Sequence, residues 1–132
     1  MRLVMCRGVF DLLHVAHLRH LEEARAMGDR LVVSLTTDAV ATKEKRRPII
    51  PEIERFEMLL GLRCVHAVDL RGNWRDSITK WRPAIYVKGH DHKVKGLSIA
   101  ELEFCEAHDV QIRFTSPNPQ TTTKILKRLQ CA

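Results

Sequence analysis

The apolar positions near the start of the chain follow two different periods. A short apolar run, RLVMC, ends just before Gly8, and residues 15–27 then carry leucine and alanine at helical spacing. Gly28 follows that segment and predicts a glycine C-terminal cap. Residues 30–38, RLVVSLTTD, are too apolar on both faces for a strand that faces solvent. The pattern therefore predicts a strand, a helix and a second strand, which form one βαβ unit.

The remaining chain continues the alternation after a polar, basic connection at residues 38–51, where two prolines resist regular structure. About five strands alternating with helices indicate an α/β fold with a mostly parallel sheet, helices on both faces and right-handed crossovers. The later predicted elements are helices at 52–62, 74–81, 98–108 and 121–130 and strands at 64–70, 84–89 and 110–115.

Ligands of such a sheet bind beyond the carboxyl ends of the strands, near the point where the strand order reverses. The most unusual side chains of this sequence fall in the loops that the pattern places there. These loops are residues 8–14, 38–51, 70–74, 88–96 and 115–123.

Composition limits the number of domains and the cellular setting. A chain of 132 residues with 45% hydrophobic content is long enough for one domain with its own core, which we expect to span residues 1–132. The four cysteines are widely separated, with no CxxC pair and no secretory leader, so a reducing cytoplasm is expected. No apolar run approaches the ~20 residues of a membrane span, which predicts a protein without a membrane partner.

The net charge of +6 suits nucleic acid, an anionic surface or a phosphorylated small molecule equally well. Nucleic acid ranks last among these partners, because aromatic residues make up only 5% of the chain and no stacking platform is visible.

The stretch GVFDLLHVAH contains two histidines three residues apart, and their chemistry is open to three readings. Gly8 allows a sharp turn, and a helix starting near His14 presents unpaired N–H groups that attract phosphate. His14 and His17 then lie one turn apart on one face, with Nε2 donors or cationic rings available to phosphate oxygens. A satisfied polar histidine is the second reading. Metal binding is the third, because His20 lies too far along the helix to complete a tetrahedral set.

The other loops each carry a functional and an ordinary reading. Asp11 is interpreted first as a helix cap and second as a ligand contact. The lysines of residues 43–47 either are solvated or close over a bound polyphosphate. The three threonines at 121–123 include an N-cap and form a second anion cradle. Asp91 has two interpretations: it orients a substrate hydroxyl or Mg²⁺, or it is an ordinary loop acid. Trp74 either stacks on a base or packs against the rest of the protein. Together these loops suit a nucleoside triphosphate, although neither a Walker A motif nor GxGxxG follows the first strand.

Several separated motifs resemble one family. GVFDLLHVAH is similar to the GxFDxxHxGH signature of the nucleotidyltransferase superfamily that includes cytidylyltransferases, and TTTKI resembles its ISTTKI signature. RRPIIPEIER and YVKGHDH resemble segments of bacterial heptose-phosphate adenylyltransferases, and GNWRD resembles the Asn-Trp pair of glycerol-3-phosphate cytidylyltransferases. The resemblance implies one Rossmann-like domain that forms a homodimer. It also implies transfer of a nucleoside monophosphate from ATP or CTP to a phosphorylated sugar or polyol, with release of pyrophosphate.

The resemblance also implies roles for individual residues. Mg²⁺ would accompany the nucleotide, held mainly by its phosphates and without direct protein ligands. His14 and His17 would stabilise the transition state while Lys43 or Lys45 covers the phosphates. The nucleotide would contact Gly8, Val9, Phe10, Ala16, Lys88, Gly89, Thr121, Thr122 and Thr123, and the acceptor would contact Asp11, Arg55, Trp74 and Asp91.

Two departures from the family pattern leave alternatives open. Ala16 replaces the glycine of HxGH, which costs about 1–3 kcal/mol if the methyl group overpacks the pocket and almost nothing if there is space. Ser116 stands near the place of the arginine in the cytidylyltransferase RTxGISTT motif, which favours the heptose-phosphate branch. His90 and His92, beside Asp91, are also unusual. The two hypotheses are therefore an active nucleotidyltransferase and a nucleotide-binding or regulatory module that has lost turnover.

Overall fold

A computed structural model describes residues 2–44, 48–70 and 73–131 of the chain. Strands and helices alternate along it, as the hydrophobic pattern predicts. The strands are β1 (Leu3–Gly8), β2 (Arg30–Leu35), β3 (Ala67–Asp69), β4 (Ile85–Lys88) and β5 (Gln111–Phe114). The helices are α1 (Val15–Arg25), α2 (Asp38–Lys43), α3 (Glu52–Leu60), α4 (Trp74–Trp81), α5 (His90–Lys95), α6 (Ile99–Ala107) and α7 (Thr122–Cys131).

The five strands form one sheet in the order β3-β2-β1-β4-β5, and every pair is parallel. From β1 the chain adds β2 and β3 on one side of the sheet, and it then adds β4 and β5 on the other side of β1. The strand order therefore reverses between β1 and β4. Loops after β1 and β4 therefore meet at the crevice where ligands of such sheets bind. The predicted α/β architecture is confirmed.

Two hydrophobic layers cover the sheet. On one face Val4, Cys6 and Val33 pack with Leu21 of α1 and Leu59 of α3. On the other face, side chains of the alternate strand positions pack against α4 and α6; this layer contains Met5, Val32, Tyr86, Ile78 and Cys105. Because successive strand side chains point to opposite faces, each residue near a strand end is committed to one of these layers.

Three local predictions are wrong. Helix α1 ends at Arg25 with Ala26 as its cap, and Gly28 is not in the left-handed conformation of a glycine cap. A Cβ on Gly28 would lie 2.6 Å from Val4 Cγ2 and 2.8 Å from the Arg2 carbonyl, so close approach to β1 is what requires glycine here. The connections at 38–51 and 88–96 are not irregular throughout, because each contains a six-residue helix, α2 and α5.

Within the described part of the chain, the helices are all too short or too polar to span a bilayer.

Replacing Gly28 with Ala tests the close approach. We expect the free energy of unfolding to fall by about 1–3 kcal/mol, because the methyl group overlaps atoms of β1 and its flank. Urea denaturation measures the change. The matched control is Gly61→Ala, where the nearest atom to the new Cβ is the Met58 carbonyl oxygen at 3.4 Å, an ordinary contact. Equal stability of the two variants would contradict this explanation of Gly28.

Candidate functional site

The loop after β1 folds back tightly on itself. A Cβ on Gly8 would lie 2.9 Å from Cε2 of Phe10, so the ring of Phe10 covers the backbone of Gly8. Phe10 and Leu12 both have positive φ, 51° and 48°, which L residues adopt only when their surroundings hold them there. Phe10 is buried, and its ring makes an edge contact with His17 at 5.5 Å between centroids. The loop is therefore strained and fixed beside the start of α1.

Asp11 anchors this loop to a second segment. Its carboxylate accepts hydrogen bonds from the backbone N–H groups of Ile49 and Ile50, at 2.8 and 2.9 Å, and from that of Leu12 at 3.1 Å. The side chain is buried while the residue lines the cavity described below. Asp11 therefore holds the segment before α3 against the β1–α1 loop, rather than capping α1.

His14 and His17 cap helix α1 reciprocally. Nδ1 of His14 accepts from the N–H of Ala16 at 3.2 Å, and Nδ1 of His17 accepts from the N–H of His14 at 3.2 Å. The two imidazoles stack with centroids 3.8 Å apart. This is the geometry of a capping box, with imidazole nitrogens in place of the usual hydroxyl and carboxylate oxygens.

The capping bonds determine the tautomer of both rings. A nitrogen that accepts a hydrogen bond from a backbone N–H carries no proton, so each neutral ring has its proton on Nε2. Burial lowers the pKa of His14 below its usual 6.5, which also favours the neutral form. The sequence predicted Nε2 donors or cationic rings facing a phosphate site, and free N–H groups at the helix start. Two of those N–H groups are instead bonded to the imidazoles themselves.

The start of α7 lies against the same imidazole. Oγ1 of Thr122 is 3.3 Å from Nε2 of His14 and donates to the backbone carbonyl of Asp11 at 3.2 Å. Oγ1 of Thr121 accepts from the N–H of Lys124 at 3.1 Å, so Thr121 acts as the N-cap. The beginnings of α1 and α7 therefore converge, as the sequence predicted for its two anion cradles.

A cavity of about 500 Å³ opens at the carboxyl edge of the sheet. The structure brings together most of the residues that the sequence singled out: Gly8, Val9, Phe10, Asp11, His14, Ala16, His17, Gly89, Asp91, Thr121 and Thr122 line it. His90 and His92 line it as well.

The phosphate contact predicted for Arg55 is wrong for this structure. The residue is 2% exposed and does not line the cavity. Its guanidinium donates to the carbonyls of Val9 (2.7 Å), Thr36 (2.9 Å) and Ile50 (2.9 Å), and it pairs with Asp38 at 2.6 Å. Arg55 therefore ties the loops after β1 and β2 to α3.

Lys88 and Trp74 also point away from the cavity, which corrects their predicted contacts with nucleotide and acceptor. Lys88 shares the face of Tyr86, where its ammonium pairs with Glu101 at 3.2 Å and is 5.2 Å from the Tyr86 ring centroid. Trp74 packs edge-on against Phe104 with centroids 5.4 Å apart. Both side chains belong to the layer covered by α4 and α6.

Two further candidates do not line the cavity, and a third is not among the described residues. Thr123 is exposed on the first turn of α7, and Lys43 is exposed at the end of α2. Lys45 lies outside the residues that the structure describes.

The structure adds lining residues that the sequence reasoning missed. Nδ1 of His20 lies 2.7 Å from Oγ1 of Thr115, and the carboxylate of Glu23 accepts from both the N–H and the hydroxyl of Ser116. His20 and Glu23 are three residues apart on α1, a spacing that would have placed them on one face. Arg7, a charged residue at the end of an otherwise apolar strand, was a further available signal.

Burial lowers the pKa of His20 to about 4, although the carboxylate of Glu23 opposes this shift. The Nδ1–Thr115 contact therefore involves a neutral imidazole. Among the described residues, no group of three or more histidine, cysteine or acidic side chains is arranged to hold a metal ion.

Comparison with known proteins decides the family. The cytidylyltransferase-like family profile matches residues 5–126. The chain belongs to the cytidylyltransferase-like family. This membership confirms the predicted resemblance to the nucleotidyltransferase superfamily.

Individual relatives and one solved structure agree with this membership. The chain is 35% identical over 133 residues to bifunctional protein HldE of Citrifermentans bemidjiense, covering 97% of this chain and 27% of that protein. It is 41% identical over 104 residues to HldE of Koribacter versatilis, covering 76% and 21%. A lipopolysaccharide core biosynthesis protein from Thermoplasma volcanium GSS1 superposes with a TM-score of 0.78 at 30% identity, covering 89% of this chain and 98% of that one. The chain spans about a quarter of the length of the HldE relatives.

The buried imidazole of His20 predicts a specific loss of stability in acid. The folded-state pKa of about 4 lies below the unfolded value of 6.5, so the contribution is complete above pH 6.5 and is lost as the pH falls toward 4. The expected loss is about 3 kcal/mol. Urea denaturation between pH 7 and 4 measures it.

Two variants make this measurement specific. His20→Gln should flatten the pH dependence over that interval, whereas His108→Gln, at an exposed helix end, should leave the wild-type slope. An unchanged slope in His20→Gln would contradict the assignment to His20.

Proposed function

We propose that the chain transfers a nucleoside monophosphate from a nucleoside triphosphate to a phosphorylated sugar, with release of pyrophosphate. Family membership supports nucleotidyl transfer, and the HldE relatives support a sugar-phosphate acceptor. The observation that carries the proposal is the pair of stacked imidazoles at the cavity, whose Nδ1 atoms are held in place by the capping bonds of α1.

The two histidines suit the charge that develops during the transfer. Each Nε2–H donor is fixed by a backbone bond on the other ring nitrogen, so little reorganisation is needed when negative charge grows on the phosphate. Nε2 of His14 contacts the hydroxyl of Thr122. When the nucleotide binds, Nε2 exchanges this hydroxyl for a phosphate oxygen. Thr121 and Thr122, at the positive end of α7, suit the β- and γ-phosphates.

The reaction requires no protein nucleophile. An oxygen of the acceptor phosphate forms a bond to the α-phosphorus, the bond from this phosphorus to the bridging oxygen breaks, and pyrophosphate leaves with the electron pair. Among the described residues no group of three or more acidic, histidine or cysteine side chains forms a metal cage, and Asp11 is occupied by backbone N–H groups and Glu23 by Ser116. Mg²⁺ would therefore enter with the triphosphate, where it neutralises phosphate charge.

The acceptor belongs in the heptose-phosphate class rather than the glycerol-phosphate class. Ser116 occupies the region where the cytidylyltransferase motif carries its arginine, and its N–H and hydroxyl are already bonded to Glu23. Trp74, the residue that resembled the glycerol-phosphate enzymes, packs away from the cavity. Both ATP and CTP remain candidate donors.

A pyrophosphate-release assay tests the proposal. Each of the four nucleoside triphosphates is offered with Mg²⁺ and a panel of sugar 1-phosphates and polyol phosphates, heptose phosphates included. We expect release with one pair, and a fall of about 10²–10³-fold in kcat for His17→Ala. The control is His108→Ala, which lies outside the cavity. Release no greater than that of His17→Ala across the whole panel would overturn the proposal.

Ala16 motivates the alternative of a nucleotide-binding module without turnover. The capping box is intact with the methyl group in place, so the imidazoles keep their orientation. We therefore expect Ala16→Gly to change kcat less than about tenfold. Tight nucleotide binding by calorimetry without wild-type turnover, together with turnover gained in Ala16→Gly, would select the alternative instead.

A further inference from the structure

Helix α1 borders the cavity well beyond the paired histidines. Ala16, His20 and Glu23 are spaced i, i+4 and i+7, which places them on one face of the helix, and all three line the cavity. Glu23 lies about 9 Å further along the helix axis than His17, at about 1.5 Å per residue. The cavity therefore continues from the paired imidazoles toward a second end, to which the proposed function assigns no ligand.

A second segment connects the same two ends of the cavity. The carboxylate of Glu23 accepts hydrogen bonds from the backbone N–H and the hydroxyl of Ser116. Further along this segment, the hydroxyl of Thr122 lies 3.3 Å from Nε2 of His14. Helix α1 and residues 115–122 therefore border the cavity from one end to the other, and a single ligand can extend between the two ends.

The groups at the second end suit an uncharged part of a ligand. Glu23 contributes a carboxylate, which repels phosphate. His20 is neutral, because burial lowers its pKa to about 4, and its Nδ1 lies 2.7 Å from Oγ1 of Thr115. Arg19 also lines the cavity, but it is exposed to solvent, where its charge is screened. The nucleoside is uncharged and is joined covalently to the phosphates, so its base is the part of the substrate that fits this end.

The carboxylate of Glu23 has room for one more hydrogen bond. Its Oε1 accepts from the N–H and the hydroxyl of Ser116, at 3.1 and 3.0 Å, whereas its Oε2 accepts from the N–H alone, at 3.0 Å. A carboxylate offers about four lone-pair sites, so one site on Oε2 is left for a ligand. Because the bonds to Ser116 hold the carboxylate in one orientation, this remaining site has a fixed direction.

We propose that Glu23 recognises the nucleobase by accepting a hydrogen bond from its exocyclic amine on Oε2. This inference rests on the proposed function and assigns the base subsite of the same cavity. Adenine and cytosine carry such an amine, whereas hypoxanthine and uracil carry at the same position a carbonyl oxygen, which a carboxylate repels. Carboxylates accept from the cytosine amine in the same way when proteins bind DNA. Glu23 thereby selects the class of bases to which both ATP and CTP belong.

Nucleotide binding tests the subsite without turnover. Calorimetry on the full chain, with Mg²⁺ and no acceptor, compares CTP with UTP and ATP with inosine triphosphate. In the pair that binds more tightly, we expect wild type to prefer the amine by at least about tenfold, as for a hydrogen bond to a charged group. Glu23→Gln should reduce this preference to less than about twofold, because an amide either accepts from an amine or donates to a carbonyl.

The matched control is Glu22→Gln, the same change of charge at the neighbouring position of α1, where the side chain is exposed and does not line the cavity. It should keep the wild-type preference. Equal binding of amine and carbonyl nucleotides by wild type, an unchanged preference in Glu23→Gln, or an equal loss in Glu22→Gln would each overturn the assignment.

Thermal unfolding shows whether the variants are folded. If Glu23→Gln does not fold, Glu23→Asp decides, because it keeps the charge but withdraws the oxygens by one methylene group. Loss of the amine preference in Glu23→Asp supports the assignment, and a wild-type preference contradicts it.

Kinetics separate this inference from the proposed function. With wild-type release of pyrophosphate, Glu23→Gln should change the ratio of kcat/KM between the two nucleotides of a pair and leave the KM for the acceptor unchanged. A raised acceptor KM with an unchanged nucleotide ratio would overturn the role of Glu23 in base binding alone. No release by wild type across the panel, together with an amine preference that Glu23→Gln loses, would overturn the proposed function and leave Glu23 as a base-binding residue.

Discussion

The reciprocal capping of α1 by His14 and His17 is the interaction on which the site depends. Nδ1 of each imidazole accepts a hydrogen bond from a backbone N–H, so the side chains that cap the helix start are the same ones that line the cavity. The bonds stabilise the helix, fix the tautomer and orient Nε2 together. One local constraint therefore determines both the structure of the helix end and its chemistry. Replacing either histidine removes a cap as well as a donor.

The surroundings hold this helix start at the edge of the sheet. Arg55 bonds the carbonyls of Val9 and Thr36, which follow the neighbouring strands β1 and β2. Asp11 bonds the segment before α3 and offers its carbonyl to Thr122 of α7. These bonds satisfy buried polar groups that would otherwise be costly, and they keep the strained loop at Phe10 in place. Arg55 and Asp11, which the motifs suggest as ligand contacts, thus also hold the loops around the cavity in place.

The sequence predicts the sheet, its helices and the cavity edge well, because apolar periodicity reports burial directly. It predicts less well where short-range signals compete. The prolines before α3 indicated an irregular connection, although the six-residue helix α2 lies within it. The position of Gly28 after a helix indicated a cap, although glycine is required there because Val4 lies close to its Cα. The pairing of β1 with β4 in the sheet depends on long-range packing that no local pattern contains.

Side-chain direction explains most of the corrections in the site. Lys88 and Tyr86 are two residues apart on β4, so they share a face, and the alternation alone would have directed Lys88 toward α6 rather than the cavity. The burial of Arg55 could not be predicted in this way, because it bonds two segments that are distant in sequence, at Val9 and at Thr36 and Asp38. His20 and Glu23 were visible as one face of α1, but the loop they bond, at Thr115 and Ser116, is distant in sequence.

The tautomers of His14 and His17 are the most direct test of this site. Long-range ¹H–¹⁵N correlation spectra at pH 7.5 distinguish a protonated Nε2 from a protonated Nδ1 in each ring. Both rings should be neutral with the proton on Nε2, and addition of a nucleoside triphosphate with Mg²⁺ should shift the Nε2 resonances more than those of Nδ1. A proton on Nδ1 of either ring in the free protein would contradict the reciprocal cap and the phosphate-facing donors that depend on it.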